Sequence, residues 1–83
     1  MNEIEQKIKD YILNEFLPGE DPALLTDSVQ LVRGGILDSI ATLKLAGFLE
    51  EEFHIKLEAH EMSADHLNTI PQIVALVESK QKA

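Results

Sequence analysis

The chain has 83 residues and a formal net charge of −8, from 15 acidic and 7 basic side chains. That length fits one domain, residues 1–83, which buries only about 60–65% of the surface its unfolded form exposes, a core too thin to enclose a deep active site. The negative field repels nucleic acid and anionic membranes and favours basic protein partners, while the absence of cysteine excludes a disulfide framework, a thiolate zinc site and a cysteine nucleophile.

The first residues, Met1 to Glu5, are acidic and contain no long apolar run, so they do not read as a secretory signal. No stretch is apolar over the length needed to span a bilayer, and the expectation is a cytoplasmic protein without membrane insertion. Ile4, Ile8, Tyr11, Ile12 and Phe16 recur at spacings of three and four, with Leu13 and Leu17 beside them. This is the apolar stripe of a helix over about 3–17, stopped by Pro18-Gly19. Residues 18–37 form a long connection with turn signals at Asp21-Pro22 and Gly34-Gly35 and room for a helical turn near Pro22–Leu25. Leu24, Leu25, Val29, Leu31, Val32, Ile36 and Leu37 make it too apolar for a loose linker, so it is expected to lie across the helices and cover their core.

The second helix is expected from Asp38 or Ser39 to Phe53, with Asp38 as its N-cap. Ile40, Leu43 and Gly47 lie on one side of it and Leu45, Leu49 and Phe53 on another, leaving one face for the core and one for a partner. Glu50-Glu51-Glu52 near its C-terminus opposes the helix dipole, which reads either as a solvated face or as a recognition feature. Ile55 and Leu57 alternate with polar neighbours in a conceivable extended piece, and Glu58 to His66 has room for a short third helix anchored by Met62 and Leu67. Thr69-Ile70-Pro71-Gln72 is a capping-box sequence opening the last helix, whose buried stripe is Ile70, Ile73, Val74 and Val77, with Leu76 beside it and Lys80 and Lys82 suiting its C-terminal end. The resulting fold class is all-α, a small four-helix bundle of three main helices and a short third one, with a long loop between helices 1 and 2.

Enzyme signatures are missing. The four glycines fit neither a phosphate-binding loop nor a Gly-x-Ser-x-Gly elbow, and His54, His60 and His66 are six residues apart, which does not stack them on one helical turn. They read as exposed polar residues rather than metal ligands, and neither a catalytic residue nor a metal site is assigned. The segment that stands out is Gly34-Gly35-Ile36-Leu37-Asp38-Ser39-Ile40: glycines end a loop, two aliphatics anchor it, and an acid and a hydroxyl open a helix. By itself an Asp-Ser pair there reads as a helix cap.

In its surroundings the segment resembles the attachment motif of the acyl carrier protein family, in which Asp-Ser-Leu or Asp-Ser-Ile opens the second helix. The similarity continues through Leu43, Leu45, Leu49-Glu50-Glu51-Glu52-Phe53 and Ile55, through Thr69-Ile70 with Ile73 and Val77, and is compatible with Ile4, Ile8 and Ile12, so it covers nearly the whole chain. The resemblance implies that a phosphopantetheinyl transferase places 4′-phosphopantetheine on Ser39, flanked by the motif residue Asp38, and that the arm's thiol carries acyl groups as thioesters between enzymes of fatty-acid, polyketide or related biosynthesis. It implies a non-enzymatic, monomeric protein served by an acyl- or aminoacyl-loading ligase and by downstream synthases or transferases, with Leu37, Ile40, Leu43, Lys44 and Gly47 as the face that partners meet. Ala41 and Lys44 stand where fatty-acid members of the family usually carry acids, and Gly47 where a bulky apolar residue is common. Those departures point to a specialised carrier, with Gly47 widening the opening between helices for cargo. An aminoacyl or peptidyl carrier with the same arm is the alternative; a helical adaptor that never carries an arm is a third reading.

Overall fold

A computed structural model describes residues 3–81; the expected role of Lys82 at the end of the last helix lies outside the described residues. Four α-helices and two short 3-10 turns account for all regular structure among those residues: α1 (Glu3–Phe16), a turn at Pro22–Leu24, α2 (Ser39–Phe53), a turn at Ala59–Glu61, α3 (Ala64–Leu67) and α4 (Ile70–Gln81). Helix α1 packs on α4 and α2, α2 also meets α4, and α3 packs on α4.

The apolar periodicity of α1 becomes a buried pair, Ile8 and Ile12, flanked by half-buried Ile4, Tyr11 and Phe16. On α2 the i+4 series Leu45, Leu49 and Phe53 is buried together with Ala41 and Ala46. On α4, Ile70, Ile73, Leu76 and Val77 are buried, so Leu76 belongs to the stripe and Val74 is its half-buried edge, the reverse of their expected places. Full burial of each such aliphatic side chain contributes about 1.5–3 kcal/mol, which is how a chain with four aromatic residues builds its core. The aromatics form a chain along the outer seam of α1 and α2: Tyr11 stacks on Phe48 with centroids 4.0 Å apart, and Phe16 and Phe53 meet them edge-on.

The long connection covers the core as expected. Leu25, Leu31 and Leu37 are buried, and the Leu37 N–H donates to the Leu31 carbonyl oxygen at 2.8 Å, closing the loop just before α2. Its two adjacent glycines serve different needs. A Cβ at Gly34 would overlap the Gln30 carbonyl oxygen, while Gly35 has φ +87°, a region that favours glycine.

Between α2 and α4 the chain departs from expectation. The alternating Ile55–Leu57 piece forms no strand. The single short helix expected over 58–66 is two pieces, because the chain breaks at Met62-Ser63: the first turn is held by the Glu58 N–H donating to the Glu61 carboxylate at 2.8 Å, and the second starts afresh at Ala64. Leu67 anchors this segment fully, whereas Met62 is half-buried.

Candidate functional site at the start of helix 2

Asp38 sits in extended backbone (φ −82°, ψ −172°) immediately before α2, and its Oδ1 accepts from the Ala41 N–H at 2.8 Å. Its carbonyl oxygen accepts from both the N–H and the Oγ1–H of Thr42, each at 2.8 Å. The side-chain cap is thus supplied by Asp38, with no part taken by the Ser39 hydroxyl. Ser39 is the first helical residue; it is exposed, and its hydroxyl bonds to none of the described residues. Free N–H groups at the start of this 15-residue helix make its N-terminal end favourable to negative charge.

Beside Ser39 lies an open cleft of about 580 Å³. It is lined by Val32 and Leu37 from the long loop, Thr42 and Leu43 from α2, and Met62, Ser63 and Ala64 from the break that splits the third helix. Ile40 and Leu43 are the large apolar residues left bare on α2, 67% and 61% exposed, and with exposed Lys44 and Gly47 they make one stripe at positions i, i+3, i+4 and i+7.

No model of a protein family matches the chain. Named relatives do. D-alanyl carrier proteins of Streptococcus pyogenes serotype M5 (strain Manfredo), serotype M49 (strain NZ131) and serotype M1 are each 39% identical to it over 64 residues, 77% of this chain and 80% of the relative. The chain belongs to the phosphopantetheine-binding carrier protein family.

Against the sequence expectations for this carrier, the structure brings Asp38, Ser39, Ile40 and Leu43 together at one end of α2, with Lys44 and Gly47 continuing the same exposed stripe. Leu37 is the correction. It was expected on the partner face but is 1% exposed, because the residue before the cap must anchor the loop into the core; what remains of it at the surface is part of the cleft wall. Gly47 is exposed. A Cβ there would meet no atom within 4 Å, and the glycine borders an outer groove with Tyr11, Phe48 and Lys44. At that groove the Tyr11 hydroxyl donates to the Lys44 carbonyl oxygen at 3.2 Å. Burial and the neighbouring Glu15 carboxylate raise the pKa of this phenol above its ordinary value, so it stays a donor at neutral pH.

The acidic run near the end of α2 divides into three different jobs. Glu50 folds back to accept from the Leu57 N–H at 2.8 Å, Glu52 pairs with Lys7 of α1 at 3.1 Å, and Glu51 is exposed. His54 ends the helix in the left-handed region at φ +55°, donating its N–H to the Glu50 carbonyl oxygen, so it acts as a C-cap. His60 and His66 lie edge to face at 6.1 Å, and among the described residues no group of three or more His, Asp or Glu side chains is placed to hold a metal ion. Among the described residues no helix is long and apolar enough to cross a membrane. Sequence reasoning missed Asn68 altogether. It is a buried polar side chain whose Oδ1 accepts from the N–H groups of Val32 and Arg33, at 3.2 and 2.9 Å.

Proposed function

We propose that the chain is a single-domain aminoacyl carrier whose Ser39 hydroxyl is the attachment point of 4′-phosphopantetheine. The observation that supports the attachment most strongly is the spare hydroxyl: Ser39 opens an acid-capped helix, is exposed, and has no hydrogen-bonding duty among the described residues. In the modification, Ser39 Oγ forms a bond to the phosphorus of coenzyme A's pantetheine phosphate. The phosphoanhydride bond breaks, adenosine 3′,5′-bisphosphate departs, and the hydroxyl proton passes to a base on the transferase. The new phosphodiester carries a negative charge, which the N-terminal end of α2 favours. Once attached, the arm supplies the thiol that this cysteine-free chain lacks, and so the capacity to hold a thioester. The carrier's own contribution is to present Ser39, to offer Ile40 and Leu43 to the enzymes it visits, and to steer basic partner surfaces with its negative field.

An aminoacyl cargo is favoured over a fatty-acyl one on two grounds. The relatives at 39% identity are D-alanyl carriers. Ala41, and Lys44 on the exposed stripe, also remove negative charge from the helix that partners read. The partners that follow are a phosphopantetheinyl transferase, a ligase that activates an amino acid and loads it, and a downstream acceptor enzyme. The test is a loading competition on the modified protein. An adenylating ligase specific for D-alanine is expected to form a thioester on it, while a fatty-acyl ligase is expected to leave it empty. The opposite outcome would restore the fatty-acid or polyketide reading.

A further inference from the structure

Asn68 joins two segments that are far apart in sequence and meet beside Ser39. It follows α3 directly, is 7% exposed, and uses both its side chain and its backbone on the same loop. Its Oδ1 accepts from the consecutive N–H groups of Val32 and Arg33, and its carbonyl oxygen accepts from the Leu31 N–H. The chain of bonds then continues toward the site: the Leu31 carbonyl oxygen accepts from the Leu37 N–H at 2.8 Å, and Leu37 is the residue before the Asp38 cap. Arg33 and Asp65 add an ion pair at 3.1 Å across the same junction, but both are exposed and such a pair contributes little. The cleft beside Ser39 is lined by the loop residues Val32 and Leu37 and by Met62–Ala64, and Asn68, at the end of α3, hydrogen-bonds the second of these segments to the first.

We propose that Asn68 is a positioning residue for the modification of Ser39: by holding Leu31, Val32 and Arg33 it sets where Leu37 and the first turn of α2 present the hydroxyl to the transferase. The inference rests on Ser39 being the attachment point. None of the hydrogen bonds of Asn68 runs to Ser39 or to the exposed stripe of α2, so its loss is expected to alter presentation and leave docking intact.

The experiment measures steady-state phosphopantetheinylation of the purified unmodified chain by a phosphopantetheinyl transferase with coenzyme A. Wild type, Asn68→Ala, Asn68→Asp and Thr69→Ala are compared at a temperature where circular dichroism shows each to be folded. Asn68→Ala is expected to lower kcat about tenfold or more with KM for the carrier unchanged, since small displacements of a reacting group are costly. Asn68→Asp keeps the acceptor oxygen and is expected to restore wild-type kcat. Thr69→Ala, which loses a helix cap next door, is expected to lose stability while keeping kcat. A wild-type kcat in folded Asn68→Ala, or a fall shared equally by Thr69→Ala, would overturn the inference. If Asn68→Ala does not fold, Asn68→Asp decides, and a reduced kcat in that folded variant overturns it. Failure of wild type itself to be modified would instead defeat the assignment of Ser39.

Discussion

Two helices of this carrier begin with the same chemical need and meet it differently. At the start of α4, Thr69 Oγ1 accepts from the Gln72 N–H at 3.3 Å, and Gln72 Oε1 accepts in return from the Thr69 N–H at 3.1 Å. The hydroxyl is consumed by the cap. At the start of α2 the capping acceptor is the Asp38 carboxylate, one residue earlier than Ser39, and Thr42 returns its own bonds to the Asp38 backbone. The hydroxyl is left over, exposed, at the first helical position. The two starts therefore differ in what they leave over: a free hydroxyl at Ser39, and none at Thr69.

The widest separation between the two starts comes from Ser39→Ala. It is expected to abolish the mass increment of phosphopantetheine completely while changing stability by less than about 0.5 kcal/mol, because the side chain makes no bond to lose. Intact-mass spectrometry and urea unfolding check the two halves. Asp38→Ala is next. Loss of the cap is expected to cost about 1 kcal/mol, and Asp38→Asn, which retains an acceptor, to recover most of it. Because the same cap sets the first turn at Ser39, the modification rate of Asp38→Ala is expected to fall as well. Thr69→Ala is expected to cost a similar ~1 kcal/mol, a fall in Tm of about 4–8 °C, with the modification rate unchanged. If Thr69→Ala slowed modification as much as Asp38→Ala, the division between site and scaffold would be wrong.

The smallest effect concerns pH and the pairing of α4 with the turn at Ala59–Glu61. The hydrogen bond from Lys80, at 2.8 Å, holds the Glu61 carboxyl below its ordinary value of 4.5, helped by the backbone of Glu58. A depressed carboxyl stabilises the fold above its unfolded pKa. That contribution is therefore intact at neutral pH, begins to fade below about pH 4.5, and is gone once the pH falls below the depressed value. Glu61→Gln is expected to flatten this acid limb of the stability curve slightly, which urea titrations at several acidic pH values would show.

The helices were legible because their signals are local. The three-and-four spacing of Ile4, Ile8, Tyr11 and Ile12, the Thr69–Gln72 box, and the i+4 series on α2 need no knowledge of what lies opposite. The local geometry around Ser39 was legible in the same way: the glycine turn before it, the acid at the cap and the exposed apolar residues after it. What stayed hidden depends on distant partners. Leu37 looks like any apolar residue flanking a motif until the loop bond from Leu31 places it inside. Glu50, Glu51 and Glu52 look alike until Leu57 and Lys7 claim two of them. Asn68 carries no periodic signal, since its meaning comes from loop N–H groups 35 and 36 residues away. The break at Met62-Ser63, which shapes the cleft, was likewise invisible in a run of polar residues that suits one helix as well as two short turns.

The central claim is that Ser39 bears the arm, and the most direct test is the intact mass of wild type and Ser39→Ala after incubation with coenzyme A and a phosphopantetheinyl transferase. The account predicts one phosphopantetheine on wild type, mapped to the peptide containing Ser39, and an unchanged mass for the variant. A modified Ser39→Ala protein, or a wild type that no transferase modifies, would contradict it.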